Sequence, residues 1–265
     1  MNDLLEWIPV AGELASAARL RLYAESPGTL VRSGEGWLAV AAGTRSNDQN
    51  GVISEPGAIS TPALVHELVQ WFAHAALPAS WLLAGDDSWL TAELIRSGAR
   101  PENTGWWAGG EIGADVLHRT APGVVVTRVT SSDEFDECLD VAQACAWFDD
   151  AADRRAYRDL YASIGFASDR VTHWVARRDS TAVGMATMFA ATLQTVELCN
   201  LAVVPSERRR GIGTALASTR LTAAQARGAR RAVSALSPDG WQLYRTMGFV
   251  STRVTPNRCF YLPMD

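Results

Sequence analysis

Apolar positions along this chain recur with two periods, and the switches between those periods predict its elements. MNDLLEWIPVAGELASAARLRLY reads as an amphipathic helix, and GWLAVAAG (36–43) and NGVIS (50–54) as strands around a polar turn. In STPALVHELVQWFAHAAL, Thr61 is placed to cap a helix with Pro62 in its first turn, and Leu64, Leu68, Trp71 and Ala75 form one apolar stripe. A buried strand at 80–85, a capped helix ending near Gly98 and a strand in GWWAGGEI follow. GADVLHRTAPG (113–123) has no period and contains Gly and Pro, so it reads as a linker.

The pattern then starts again. VVVTRV (124–129) is an alternating strand, a helix follows behind a Ser131–Glu134 capping box, and DDAADRRAYRDLYASI is a second helix with an acidic first turn. VTHWVARR and TAVGMATMFA flank a tight turn at Asp179–Ser180, and QTVELCNLAVV is a long strand. A helix stopped by Gly228, a strand in RRAVSAL, a helix in SPDGWQLYRTM, and GFVSTRV with RCFYLP as a closing strand pair end the chain. Both halves share one order of elements, without a residue-level repeat. Two related α/β units are expected, at 1–115 and 116–265.

Charge shifts attention to the second half. The net charge of −5 gives no global positive field for nucleic acid or an anionic membrane. Residues 1–115 hold 14 acids and 6 bases, net −8, which leaves 15 acids and 18 bases, net +3, for residues 116–265. An anionic ligand is expected there. Cys138, Cys145, Cys199 and Cys259 form no CxxC pair and read as reduced thiols, none in a nucleophile's setting. His66, His74, His118 and His173 lack metal-ligand spacing, so no metal is expected. The N-terminus does not read as a signal peptide, and no apolar run reaches the roughly 20 residues of a membrane span. The expectation is a cytoplasmic protein; its oligomeric state is not legible.

One stretch carries most of the chemistry. In VVPSERRRGIGTAL (203–216) an apolar strand ends at Pro205, three arginines follow, and Gly211 and Gly213 stand where a helix begins. A helix start leaves about four amides without intrahelical acceptors and carries partial positive charge. The glycines remove side chains there, and Arg208, Arg209 and Arg210 add guanidinium charge, an arrangement suited to pyrophosphate. All 24 basic residues are arginine, so the P-loop lysine is missing, and Leu216 stands where the dinucleotide fingerprint needs its third glycine. What remains is R-x-x-G-x-G.

With its surroundings, ELCNLAVVPSERRRGIGTAL followed by SPDGWQLYRTMGF, this motif resembles the GNAT (GCN5-related N-acetyltransferase) family over roughly residues 124–263. The resemblance implies a mixed, twisted sheet with helices on both faces, splayed at its middle, and acetyl-CoA as acyl donor. It places backbone groups of Leu201, Ala202 and Val203 along the pantetheine arm and thioester. It places the amides of Arg208, Arg209, Arg210, Gly211, Ile212, Gly213 and Thr214 on the pyrophosphate. Ser237 stands where the family often has Asn, and Gly240 where it has Ala, which puts that asparagine's cofactor contact in doubt. Tyr244 matches the family's proton donor to the coenzyme A sulfur, and packing beside Phe249 is its alternative.

Acyl transfer to an amine also needs a base. Glu197, a carboxylate in mid-strand, is the first candidate, and an ion pair with an arginine accounts for it equally well. Strict alternation puts Glu197 on the face of Leu201 and Val203 with Asn200 opposite; a bulge would reverse that. Asn200 is then a substrate or water contact. The family's acceptor site lies where the first two helices meet. Here Trp147 and Phe148 offer apolar and cation–π surface, and Asp149, Asp150 and Asp153 offer negative charge, although acids in a first helical turn are commonplace. The first half lacks R-x-x-G-x-G and reads as a degenerate GNAT-like unit. The expected activity is direct acetylation of a small-molecule primary amine. An acyl-CoA sensor without turnover and a protein lysine or N-terminal acetyltransferase are the alternatives.

Overall fold

The computed structural model describes residues 2–83, 87–101, 106–113, 119–252 and 259–262. The chain runs through α1 (Asn2–Ala24), β1 (Leu30–Gly34), β2 (Trp37–Ala41), β3 (Asn50–Ser54), α2 (Pro62–Ala75), β4 (Ala79–Leu83), α3 (Ser88–Arg96) and a two-residue β5 (Arg100–Pro101). β6 (Trp106–Glu111), β7 (Val124–Arg128), α4 (Ser132–Ala144), α5 (Ala151–Ile164), β8 (Val171–Arg178), β9 (Thr181–Ala190) and β10 (Thr195–Val203) follow. Then come α6 (Ile212–Ala226), β11 (Arg231–Leu236), α7 (Pro238–Arg245), β12 (Val250–Ser251) and β13 (Cys259–Leu262).

The caps act as the sequence indicates. Thr61 accepts from the Leu64 amide, Asp87 from Leu90, and Ser131 from Glu134. The Glu134 carboxylate reaches back one residue further than expected, to the amide of Thr130 at 2.7 Å. Asp179 and Ser180 both take positive φ, the two-residue turn that matches the twist of a hairpin. β1 has no counterpart in the sequence reading: all five of its residues are exposed, so burial imposes no alternation on them. Of the expected linker, residues 114–118 lie outside the described residues.

The strands form two mixed sheets, ordered β1-β2-β3-β4-β13-β5 and β12-β6-β11-β10-β9-β8-β7. Each sheet contains a strand that chain order would give to the other. β6 pairs antiparallel with β11 from Trp106↔Leu236 to Glu111↔Arg231, and also with β12. β13 pairs with β4 and β5. The expected closing pair is therefore not formed, since β12 and β13 lie in different sheets. The expected boundary between residues 115 and 116 is also displaced. One compact unit gathers Met1–Ala15 with Trp106–Arg253, and the other Ser16–Gly105 with Val254–Asp265. Strand pairing, not chain order, decides membership.

In the first of these units, α6 covers one face of the sheet. Gly184 on β9 makes the close approach possible, because a Cβ there would lie 3.0 Å from Ile212 and Leu216. The core beneath gathers Trp174, Ala186, Met188, Val196, Leu198, Leu216 and Leu221, and each large side chain buried this way contributes about 1.5–3 kcal/mol. The other face carries an aromatic cluster in which Phe135 packs against Tyr157, Tyr161, Phe166 and His173.

Candidate active site

The start of α6 is open. Its first helical bond runs from the Ala215 amide to Gly211 O at 2.9 Å, and no side chain caps it. The amides of Ile212, Gly213 and Thr214 therefore have no intrahelical acceptor. Arg209 at φ 63 and Gly211 at φ 82 turn the chain through left-handed geometry just before them. In such backbone successive N–H groups converge on an anion. At Gly213 a Cβ would meet Leu243, Leu201 and Val203 only at 3.5–4.0 Å, ordinary contact. Packing does not demand glycine there, so its absent side chain leaves room beside the free amides. These residues fit a diphosphate.

The three arginines do not act alike, which corrects the expectation of three guanidiniums around one phosphate. Glu207 draws Arg210 to it at 3.2 Å and also pairs with Arg178. Arg208 folds back along the strand, its Nε donating to Val203 O at 3.1 Å. Among the described residues Arg209 alone of the three makes no ion pair or side-chain hydrogen bond. Cys145 also lies here, its thiol 3.5 Å from Val203 O and 4.0 Å from Arg208. The sequence reading placed no cysteine near the chemistry.

The sheet opens beside this loop. β10 and β11 run parallel but pair only from Thr195↔Arg231 to Glu197↔Val233. Beyond that point β11 stays with β6 while β10 stays with β9. Ser234 closes the crotch of the fork, its hydroxyl donating to Leu198 O at 2.5 Å where a ladder bond would have come next. Leu201, Ala202 and Val203 follow on the strand that leaves β11.

A bulge between Cys199 and Ala202, with Asn200 at φ 51, decides which side chains face which way. Val196 and Leu198 lie in the core under α6, and Leu201 and Val203 pack against that same core. Glu197 therefore points to the opposite face, which corrects the strict alternation. Asn200 shares that face, its amide donating to Tyr157 Oη at 2.9 Å and lying 3.5 Å from Tyr161 Oη. Glu197 is 1% exposed.

Tyr244 comes from α7, is 2% exposed, and packs against Phe249 at 5.0 Å between ring centroids. Its hydroxyl accepts a hydrogen bond from Arg220 at 2.6 Å. Burial raises the Tyr244 pKa, and the Arg220 cation works against that rise. The sequence reading missed Arg220, because an arginine in mid-helix reads as solvated. Its place at every fourth residue with Ile212, Leu216 and Ala224, all buried, was the available signal.

On the acceptor side the structure separates the candidates. Phe148 is buried, edge-on to Tyr157 at 5.3 Å, while Trp147 is 37% exposed. Asp150 caps α5, accepting from the amides of Ala152 and Asp153 at 2.8 and 2.9 Å. Asp149 lies just before that cap. Ser237 caps α7, its oxygen accepting from the Gly240 amide at 3.2 Å. His173 is buried beside Thr187, and desolvation lowers its pKa to about 3, so it stays neutral and is no base near neutral pH.

Residues 135–249 match the model of the acetyltransferase (GNAT) family. A comparison with curated proteins gave no match. Among solved structures, the chain resembles a GCN5-related N-acetyltransferase from Kribbella flavida, with 19% identity, TM-score 0.62, and 93% of this chain and 91% of that one covered. It resembles a tandem GNAT protein from the clavulanic acid biosynthesis pathway, with 12% identity, TM-score 0.56, and 98% and 94% covered. A functionally unknown conserved protein from Staphylococcus epidermidis ATCC 12228 is similar too, with 15% identity, TM-score 0.61, and 92% and 97% covered. At these identities the likeness is one of fold, and it extends over both sheets: the architecture is that of tandem GNAT proteins.

Proposed function

Starting from the GNAT-family domain formed by residues 135–249, we propose that the protein transfers an acetyl group from acetyl-CoA directly to the primary amine of a small molecule in the cytoplasm. Acetyl-CoA, when bound, supplies an activated thioester carbonyl. In this reading the amides from Arg208 to Thr214 hold its pyrophosphate. The free edge of β10 at Leu201, Ala202 and Val203 aligns the pantetheine arm and donates to the carbonyl as negative charge develops on it. Glu197 takes a proton from the amine, and Asn200 orients the amine or a water between them. Tyr244 gives a proton to the departing sulfur. Trp147, Phe148, Asp149 and Asp150 border the acceptor, and Ser237 retains a hydroxyl proton for the cofactor while its oxygen caps α7.

The observation that carries this reading is the fork between β10 and β11, with uncapped amides at one side and a buried tyrosine hydroxyl linked to its bulge through Arg220. The other sheet supports a division of labour. There the parallel pair β3 and β4 stays in register from Gly51↔Ser80 to Ser54↔Leu83, and among the described residues it opens no fork to receive a pantetheine arm. We read that unit as a degenerate partner.

Thiol release from acetyl-CoA, measured against an amine panel and a peptide panel, tests the reading. Release with small amines and not with peptides is the expected result, and no release with either rejects it. Tyr244→Phe should lower kcat by about 100-fold or more while acetyl-CoA affinity is retained. Equal loss of both would make Tyr244 a packing residue only.

A further inference from the structure

Arg220 is among the largest fully buried side chains of the protein, at 0% exposure. Its partners are unusual for a buried cation. Nη1 donates to Thr187 O at 2.7 Å on β9 and to Cys199 O at 3.0 Å on the β10 bulge. Nε reaches Leu216 O at 3.4 Å within α6, and Nη2 donates to Tyr244 Oη at 2.6 Å. Among the described residues no carboxylate forms an ion pair with it. Burying an unpaired guanidinium is costly, and an apolar residue of similar volume would fill the space at lower cost. Carbonyls alone would explain a structural brace. The fourth partner is the hydroxyl that the proposed reaction needs.

We propose that Arg220 is a positioning residue for acyl transfer, fixing the Tyr244 hydroxyl against the β10 bulge with its oxygen turned to the guanidinium and its proton turned to the fork. The inference rests on the reading of the site given above. A phenol oxygen that accepts from a cation holding no acceptor of its own must direct its single proton elsewhere. The same guanidinium grips Cys199 O, so it sets the spacing between the hydroxyl and the bulge. In the transfer, the amine–carbon bond forms as the carbon–sulfur bond breaks with its electron pair on sulfur. Sulfur takes the Tyr244 proton, and the phenolate left behind is held by the Arg220 charge until it recovers, through solvent, the proton released by the amine. Arg220 keeps its own protons throughout.

Among the described residues, the charged or titratable groups that face Tyr244 are Arg220 from α6 and Cys199 from β10; Met247 and Phe249, which follow α7, carry no charge. Alkaline absorbance titration of the ligand-free protein isolates Tyr244 as the difference between wild type and Tyr244→Phe. The same difference is then taken in an Arg220→Gln background, which keeps amide donors for the carbonyls and removes the charge. The expected result is a Tyr244 midpoint about one pH unit or more higher in Arg220→Gln. The alkaline limb of kcat should move with it. Arg220→Lys should leave that limb in place, lowering kcat with the KM for acetyl-CoA retained. An unchanged midpoint, or equal losses in Lys and Gln with the limb unmoved, would overturn the proposal.

A second measurement does not require an Arg220 variant to fold. Tyr244→Phe alone removes the acceptor of a buried N–H and should lower the melting temperature by several degrees. An unaltered melting temperature would show that the pairing is absent. The titration and the melt are both read without acetyl-CoA. A protein that acetylates nothing would therefore reject the functional reading without touching either result.

Discussion

Tyr244 and His173 are both buried, and burial pushes their proton equilibria in opposite directions because it disfavours the anion of one and the cation of the other. For His173 the consequence is a stability effect with a definite sign. Its folded pKa of about 3 lies below the ordinary imidazole value of 6.5, so the unfolded chain binds a proton that the folded chain refuses. Stability from this group is full above about 6.5 and declines as pH falls toward about 3. The expected outcome is that His173→Phe, which can enter the ring cluster around Phe135, flattens part of the fall in melting temperature between neutral and acidic pH. An equally steep fall in the variant would mean that other groups carry it. Legibility at this scale followed sequence distance. Tyr244 is visible in LYRTMGF because helix, turn and Phe249 are neighbours in the chain. Arg220 draws its meaning from Thr187, Cys199 and Tyr244, which are brought together only by folding. Glu197 was legible as a mid-strand carboxylate, while its burial and its face depended on pairing and on a bulge that no local pattern specifies.

Helices were legible because their ends are written in local chemistry. Ser131, Asp150 and Ser237 each cap a helix, with the first amides donating to their side-chain oxygens. This separates two acids that the sequence alone leaves equivalent. Asp150→Ala removes a cap that satisfies two amides and is expected to cost about 1 kcal/mol of stability, measured by denaturant unfolding. Asp149→Asn leaves the cap intact and should act on the acceptor, raising its KM with little change in melting temperature. If Asp149→Asn leaves acceptor kinetics untouched while Asp150→Ala raises KM in a folded protein, the acceptor assignment belongs to Asp150 instead. Capping also links to acid sensitivity. The Thr130 amide, the largest influence, lowers the Glu134 pKa below 4.5, so this contact stabilises above the unfolded value and is lost as pH falls through the folded one. Strands were harder. β1 is exposed on every residue, and the fork between β10 and β11 entered only through the family resemblance, because pairing partners 36 residues apart leave no local trace.

At the scale of the molecule, similar order of elements correctly indicated two similar sheets but not which residues complete each one. GWWAGGEI reads as the last strand of the first half, and its composition gives no address. In the structure its glycines suit the sheet it joins: a Cβ on Gly109 would crowd Ile8 and Ala232 O at 2.9 and 3.0 Å, and one on Gly110 would meet Phe249 at 3.3 Å. β6 thus fills the place between β11 and β12, and among the described residues no other strand pairs with that edge of β11. A fragment cut where the sequence suggests, 116–265, would leave the whole β11 edge without hydrogen-bond partners beside the fork. The alternative fragment 106–265 retains β6. The expected order of melting temperature is the full chain first, then 106–265, with 116–265 showing no cooperative transition. Only the first two should be stabilised by acetyl-CoA, since ligand binding raises stability only where the folded site exists. Fragment 106–265 should melt below the full chain, because it lacks the first half of α1, whose Ala11 and Ala15 pack with Val233. A 116–265 fragment that melts cooperatively and binds acetyl-CoA as the full chain does would show that β6 is dispensable, and that the fork holds its shape from β10 and α6 alone.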